Sequence, residues 1–329
     1  MPEPERRLEL AVIIATRNRA RALESVLENL AAQQTCWPWQ AVVVDNGSSD
    51  DTPIVLQRFQ SRFPLRVLSE PHAGKSRALN AALGITSAWL TAFTDDDVIL
   101  TPHWVDQLVN AARAYPEADV FCGPIHPRFP VGTPAWLRNH PFSTAAFARF
   151  EPPLPEGILP APELPFGPNF AVRSDRAAGM RFRLDLGPSE LGSFMCEDTE
   201  FVHRFRLQNR KFIFVPAADV THVIRSELVS VPCLLDRAFN FGRSFILAHR
   251  NTLLLSRNRA PAVPEAKQFE LGAMLNLYLG QLCQCSLDGE RRLFDSLKAI
   301  IKALPWNGDQ RFVGSRASEW ICSNPEFLL

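Results

Sequence analysis

Net charge is what this chain most plainly lacks: 35 Lys and Arg offset 35 Asp and Glu in 329 residues. A protein that grips a polyanion needs a surplus of basic side chains, so a nucleic-acid partner is not expected. A secretory leader is not expected either, because Met1 to Glu9 is charged, carries Pro2 and Pro4, and is not followed by the apolar core a signal needs. No run is long and apolar enough to cross a bilayer. The longest uncharged stretch, Leu271 to Leu287, contains Asn276, Gln281 and Gln284 and falls short of the roughly 20 apolar residues required, so it reads as a packed or interfacial helix. The 7 cysteines are odd in number and form no CxxC pairs, and Cys283 and Cys285 read as small apolar side chains. A reducing, cytoplasmic location follows, with peripheral contact at the inner face of a membrane left open.

Nucleotide-binding signatures built on glycine are absent too. No GxGxxG occurs, and Gly74-Lys75-Ser76 is not a P-loop, because Ser69 stands where that motif needs glycine and Pro71 and His72 crowd the amides that would cradle phosphate.

What is present is an alternation of apolar strands and amphipathic helices. Strands are expected at Leu10 to Ala15, Ala41 to Val44, Leu65 to Leu68, Trp89 to Phe93 and Asp119 to Cys122. Between them, helices are expected at Arg21 to Gln33, at Thr52 to about Arg62 with Thr52 as cap, at Ser76 to Leu83 and at Pro102 to Tyr115. This order implies an open, mostly parallel sheet with helices on both faces. From Pro124 to Pro168 the pattern breaks, since 12 of the 27 prolines fall there, and a long irregular acceptor-binding excursion is expected. A strand at Phe166 to Val172, a helix at Asp198 to Asn209 and strands at Lys211 to Val215 and Asp219 to Val223 follow. Beyond Val231 the chain reads as helical, with breaks near Pro261 to Pro264 and Leu304 to Gly308. The expected division is a catalytic domain at 8–230, with a nucleotide half at 8–123 and an acceptor half at 124–230, then a helical extension at 231–329.

In open parallel sheets the loops after the strands converge in one crevice. Here those loops carry Thr16-Arg17-Asn18, Asp45 to Asp50, His72 to Arg77, and Asp95-Asp96-Asp97. Adjacent carboxylates at the end of an apolar strand repel one another unless a hard cation with phosphate co-ligands is bound, which favours a metal-nucleotide site over an exposed acidic turn. Asp45 suits a nucleobase N–H, or else simply starts the turn. Lys75 and Arg77 are placed to neutralise a diphosphate, or else to begin a solvated helix. Glu197 and Asp198 precede a helix, where Asp198 is either its cap or a general base facing an acceptor hydroxyl. His222 is a structural histidine or a further ligand, since imidazole suits Mn²⁺.

Taken in order, Val12 to Arg19, Val42 to Asp50, Gly74 to Asn80, Phe93 to Asp97, Gly167 to Phe170 and Glu197-Asp198 resemble the family 2 glycosyltransferases, nucleotide-sugar-dependent enzymes of the GT-A fold. The resemblance covers about residues 10 to 225. It implies a nucleotide pocket lined by Ala15, Thr16 and Arg17, with Asp45 at the base and Arg77 at the diphosphate. It further implies Asp95 near the ribose, Asp97 on Mn²⁺ or Mg²⁺, Asp198 as base, and His222 at the metal or diphosphate. The donor would be a nucleoside-diphosphate sugar, and the acceptor a carbohydrate or lipid-linked hydroxyl attacked with inversion. The family often has a small or non-acidic middle residue in its DxD motif, whereas Asp96 adds a third carboxylate, and which two of Asp95, Asp96 and Asp97 hold metal stays open. A nucleotidyltransferase is the alternative enzyme, although Ala15 to Asn18 lacks the glycine-rich loop it would use. A nucleotide-sugar-binding module whose catalysis has lapsed is the non-enzymatic alternative.

Overall fold

The computed structural model describes residues 8–249 apart from 140 and 191, together with 276–281, 283–284 and 313–323. The chain divides into two compact units, the first comprising Met1–Arg128, Ala148–Leu184 and Glu197–Val223, the second Phe129–Phe147, Asp185–Cys196 and Ile224–Leu329.

The first unit is built on β1 (Leu10–Thr16), β2 (Trp39–Asp45), β3 (Leu65–Ser69) and β4 (Leu90–Phe93), with helices α1 (Ala20–Ala31), α2 (Thr52–Phe59) and α3 (Lys75–Leu83) between them. Leu10 to Ile14 and Ala41 to Val44 are almost completely buried, as central parallel strands covered on both faces require. Then come β5 (Val98–Leu100), α4 (Trp104–Ala114), β6 (Val120–Cys122), β7 (Ile125–Arg128), β8 (Gly157–Ile158) and β9 (Phe170–Arg173). In the second unit, β10 (Pro188–Ser189) pairs with β11 (Gly192–Ser193). The first unit closes with α7 (Glu197–Leu207), β12 (Phe212–Phe214) and β13 (Val220–Val223), α5 and α6 being short helices of the second unit at Ala135–Arg138 and Pro141–Ala146.

The main sheet runs β3-β2-β1-β4-β9-β6-β12-β8. It is parallel from β3 to β4 and between β6 and β12, with β9 antiparallel to both its neighbours and β8 antiparallel at the edge. The register sets Thr16 opposite Asp45, Asp45 opposite Ser69, and Ile13 opposite Phe93, so the loops after β1 to β4 leave one edge together. A second sheet, β5-β13-β7, pairs β13 antiparallel to β5 and parallel to β7.

Two expectations need correction. Thr52 is not the cap of α2 but its first residue; the carboxylate of Asp50 accepts from the amides of Thr52 (3.0 Å) and Ala20 (3.1 Å), so it serves the starts of α2 and α1 together. Nor is the stretch from 124 to 168 wholly irregular, since it holds β7, α5, α6 and β8. Pro127 is tolerated in β7 because that strand lies at a sheet edge, where a missing N–H breaks no ladder.

In the second unit, α8 (Val231–His249) packs Leu234 and Leu235 with Leu137, Ala146, Phe147 and Ile224. The Ser315–Ser323 helix is started by side chains of other segments: Asn276 Oδ1 accepts from Gly314 N (2.9 Å), and Asp236 accepts from Arg316 N (3.1 Å) and the Ser315 hydroxyl (2.7 Å). The described part of the expected helix at 271–287 is helical, with Asn276, Gln281 and Gln284 buried. The helix breaks expected near Pro261 to Pro264 and Leu304 to Gly308 lie outside the described residues. Among the described residues no helix is long and apolar enough to cross a membrane.

Candidate active site

The crevice edge is organised by polar side chains that tie one strand-end loop to the next. Asn46, buried after β2, donates to the carbonyls of Glu70 (2.9 Å) and His72 (2.8 Å) and accepts from Gly74 N (2.7 Å). The Gly74 amide is therefore already engaged, which accords with the exclusion of a P-loop. Asn18 adopts φ of 52°, a left-handed conformation asparagine tolerates, and its Oδ1 accepts from Ser49 N (2.7 Å). That turn brings Arg19 back across the edge at the start of α1. Asp45 accepts from Ser48 N (3.0 Å) through Oδ1. Ala15 is half-buried, while Arg17 and Arg77 are exposed.

Each carboxylate of the acidic triplet has its own set of partners, with Arg19 shared between Asp96 and Asp97. Asp96 is buried, accepts from the Thr16 hydroxyl (2.7 Å), and lies 3.4 Å from Arg19 Nη2. Burial pushes its carboxyl up to about 6, against the opposing pull of Arg19 and the Thr16 hydrogen bond. Asp97 accepts from Arg19 Nη2 (2.8 Å) through Oδ2, and its Oδ1 stands 3.4 Å from His222 Nε2. Burial would raise it as well, but hydrogen bonding and charge from His222, followed by Arg19 and Lys75, hold it well below the usual carboxylate range. Asp95 pairs with Lys75 Nζ at 2.7 Å.

Lys75 connects the triplet to the second acidic pair. Its ammonium also lies 3.2 Å from Glu197 Oε1, and although burial disfavours its charge, Asp95, Glu197 and Asp198 together lift its proton affinity well above the ordinary value. Burial in turn raises the carboxyls of Glu197 and Asp198, with Lys75 opposing. Asp198 is not the helix cap, because α7 already begins at Glu197. Instead its Oδ1 accepts from Thr199 N (2.7 Å) and its Oδ2 from Gly167 N. A Cβ at Gly167 would come within 2.8 Å of Asp198 Oδ2, so this glycine leaves the carboxylate its place.

Aromatic packing holds these pieces in register. Phe93, just before the triplet, stacks on Phe170 (centroids 4.8 Å apart), while Phe182 stacks on Phe201 of α7 (4.2 Å) and meets Phe93 edge-on (5.3 Å). The strand carrying the triplet, the strand after Asn169 and the helix carrying Asp198 thus share one cluster, where truncating a single buried ring costs about 3–5 kcal/mol. Above it, the Thr94 hydroxyl donates to Pro168 O (2.8 Å), and Asn169 joins Pro124 O (3.0 Å), Ala218 O (2.7 Å) and Trp104 Nε1 (3.0 Å).

Among the described residues, no three His, Cys, Asp or Glu side chains gather as a complete metal cage. A divalent ion on a diphosphate needs fewer protein ligands, because phosphate oxygens fill much of its shell. Adjacent ligands of an octahedral ion with bonds of about 2.1 Å stand about 3 Å apart, and the Asp97–His222 separation of 3.4 Å approaches that spacing. Carboxylate oxygen plus imidazole nitrogen is a donor set suited to Mn²⁺. Asp95 is taken up by Lys75 and Asp96 by Thr16 with Arg19, while Asp97 meets Arg19 through Oδ2 and His222 through Oδ1. Arg19, Asn46 and Gly167 received no role from sequence; Arg19 lies inside the Val12 to Arg19 motif, but nothing local reveals a partner 78 residues away.

Comparison with known proteins agrees with this architecture. Residues 11–185, more than half of the chain, match the profile of glycosyl transferase family 2, and the chain belongs to that family. It is thereby a glycosyltransferase rather than a nucleotidyltransferase. The succinoglycan biosynthesis protein ExoM of Rhizobium meliloti (strain 1021) is 26% identical over 249 residues, which cover 73% of this chain and 75% of the relative. Validoxylamine A glucosyltransferase of Streptomyces hygroscopicus subsp. jinggangensis (strain 5008) is 36% identical over 110 residues, covering 32% of this chain and only 26% of that enzyme. Among solved structures, a mannosyltransferase from Pyrobaculum calidifontis in complex with GDP-Man and Mn²⁺ superposes with a TM-score of 0.53 at 19% identity, over 99% of this chain and 82% of that one. S. aureus TarS 1–349 in complex with UDP-GlcNAc gives 0.52 at 18% identity, over 93% and 83%. The fold is the GT-A arrangement that the motifs implied.

Proposed function

We propose that the chain moves a sugar from a nucleoside-diphosphate sugar to the hydroxyl of a carbohydrate or lipid-linked acceptor, with inversion, as a step in polysaccharide synthesis. The observation that carries this reading is the Lys75 ammonium, which joins Asp95 of the triplet to Glu197 beside Asp198 and so draws donor-side and acceptor-side carboxylates to one sheet edge.

The donor's nucleoside lies along Ala15, Thr16 and Arg17, with Asp45 accepting from the base, Asp95 at the ribose and Arg77 donating to the diphosphate. A Mn²⁺ or Mg²⁺ ion held by Asp97 and His222 would supply charge neutralisation for the departing nucleoside diphosphate. Asp198 takes the proton of the acceptor hydroxyl as its oxygen attacks the anomeric carbon and the bond to the diphosphate breaks. Its upward-shifted carboxyl suits that task, since a base works best when its pKa approaches the working pH. The amides of Gly167 and Thr199 fix the carboxylate while leaving lone pairs on both oxygens for the incoming hydroxyl. The catalytic region spans about 8–230, the acceptor meeting the proline-rich stretch at 124–168, with residues 231–329 as a helical extension.

The test is incubation with UDP-, GDP- and dTDP-sugars and Mn²⁺, followed by nucleoside diphosphate release. Release from at least one donor, lost on chelation, is the expected result; binding without turnover across the panel leaves a lapsed binding module instead.

A further inference from the structure

Arg19 contributes to none of the roles above, yet it occupies the centre of the acidic group. Its Nη2 lies 2.8 Å from Asp97 Oδ2 and 3.4 Å from Asp96 Oδ1, while its Nη1 is buried with no hydrogen-bond partner among the described residues. The guanidinium cannot be neutralised at any working pH, so this charge is permanent. Its backbone is pinned as well: Arg19 N donates to Thr52 Oγ1 (3.2 Å), and Arg19 O accepts from Leu23 N (2.9 Å) to open α1. The side chain therefore sits on a helix start rather than on a free loop.

A resident cation of this kind competes with any other cation for the same carboxylates. With Arg19 on Asp96 and Asp97, and Lys75 on Asp95, the three acidic side chains are all engaged by basic partners, and Asp97 Oδ1 has His222 Nε2 beside it at 3.4 Å. Two protein donors beside a fixed positive charge make a poor site for a bare divalent ion, but a diphosphate brings the negative charge and oxygen ligands that the protein withholds. We propose that Arg19 is a positioning residue that makes divalent-ion binding conditional on the donor's diphosphate, by neutralising Asp96 and holding Asp97 through one oxygen. This rests on the reading of Asp97 and His222 as the metal-facing pair.

Isothermal titration calorimetry with Mn²⁺, in the absence and presence of saturating UDP, GDP or dTDP in turn, separates the two ideas. In the native protein Mn²⁺ is expected to bind at least about tenfold more tightly with one of these nucleotides than without, a coupling that must be reciprocal. Arg19→Gln is expected to bind Mn²⁺ without nucleotide about tenfold more tightly than the native protein, and the coupling is expected to shrink accordingly. Should that replacement not fold, Arg19→Gln combined with Asp96→Asn removes the cation together with the buried carboxylate it compensates, and the same gain in nucleotide-free binding is expected. Native-like dependence on nucleotide in whichever of these variants folds overturns the role of Arg19. Absence of any coupling in the native protein, with Asp97→Asn behaving identically, overturns the metal reading itself.

Discussion

Asp97 and His222 face each other at 3.4 Å because β13 is stitched to the chain that carries the triplet, Val223 N donating to Asp97 O at 2.8 Å. The pair is thus placed by the backbone, and a replacement at either position alters the donor set without moving the strands. His222→Gln is expected to raise the Mn²⁺ concentration for half-maximal donor turnover by about tenfold or more, in line with the sensitivity of metal sites to altered ligands. A metal titration of initial rates checks it, and an unchanged requirement would remove His222 from the site.

Asp198→Asn keeps the shape of the side chain and can still accept from a neighbouring amide, but it cannot take a proton. Turnover is expected to fall about 10²- to 10⁴-fold while nucleotide affinity stays within about twofold of native. Single-turnover kinetics alongside calorimetry would show the split, and full activity in the variant would assign the base elsewhere.

Gly123 sets how closely the loop carrying Asn169 can approach: a Cβ there would lie 1.8 Å from Ala218 O and 2.7 Å from Asn169 Nδ2. Since Ala218 O is backbone, relief requires moving the chain that Asn169 bridges. Gly123→Ala is expected to lose more than about 3 kcal/mol of stability, the severe end of overpacking. Urea unfolding measures it; a loss below about 1 kcal/mol would mean that this junction yields readily.

The buried carboxyl of Asp96 makes stability depend on pH with an unusual sign. Its folded value of about 6 lies above the ordinary 3.8, so the contribution it makes to stability is complete below about pH 4 and is lost as pH rises through 6. Asp96→Asn, which can still accept from Thr16, lacks that loss. Without divalent ions the variant is expected to gain up to about 3 kcal/mol on the native protein between pH 4 and pH 7. Chemical denaturation at several pH values provides the comparison, and a difference that stays flat with pH would contradict it.

The order of main-sheet strands and their helices through Cys122 was legible because β1, β2 and β4 are short apolar runs and α1 repeats its buried Leu23, Val26, Leu27 and Leu30 with helical spacing. The reversed direction of β9 was not, since Phe170 to Arg173 reads the same whichever way it pairs. Three-residue strands such as β5 are too short to show an alternation, which also hid the sheet that delivers His222. Within the site, the residues were legible by type and position after strands. Their pairings were not: Thr16 finds Asp96 across 80 residues, and Lys75 finds Glu197 only once the helix after Cys196 has packed. Charge complementarity of that range leaves no local pattern.

The interleaving of the first unit has a consequence for how the chain is made. Lys75 and the acidic triplet leave the ribosome well before Glu197 and His222, their partners in the finished crevice. A nascent chain halted at residue 185, where the family match ends, would carry the triplet with Thr16, Arg19 and Lys75 but without Glu197 or His222. The crevice therefore cannot acquire its full set of side chains until synthesis has passed β13, the strand that carries His222 beside β5.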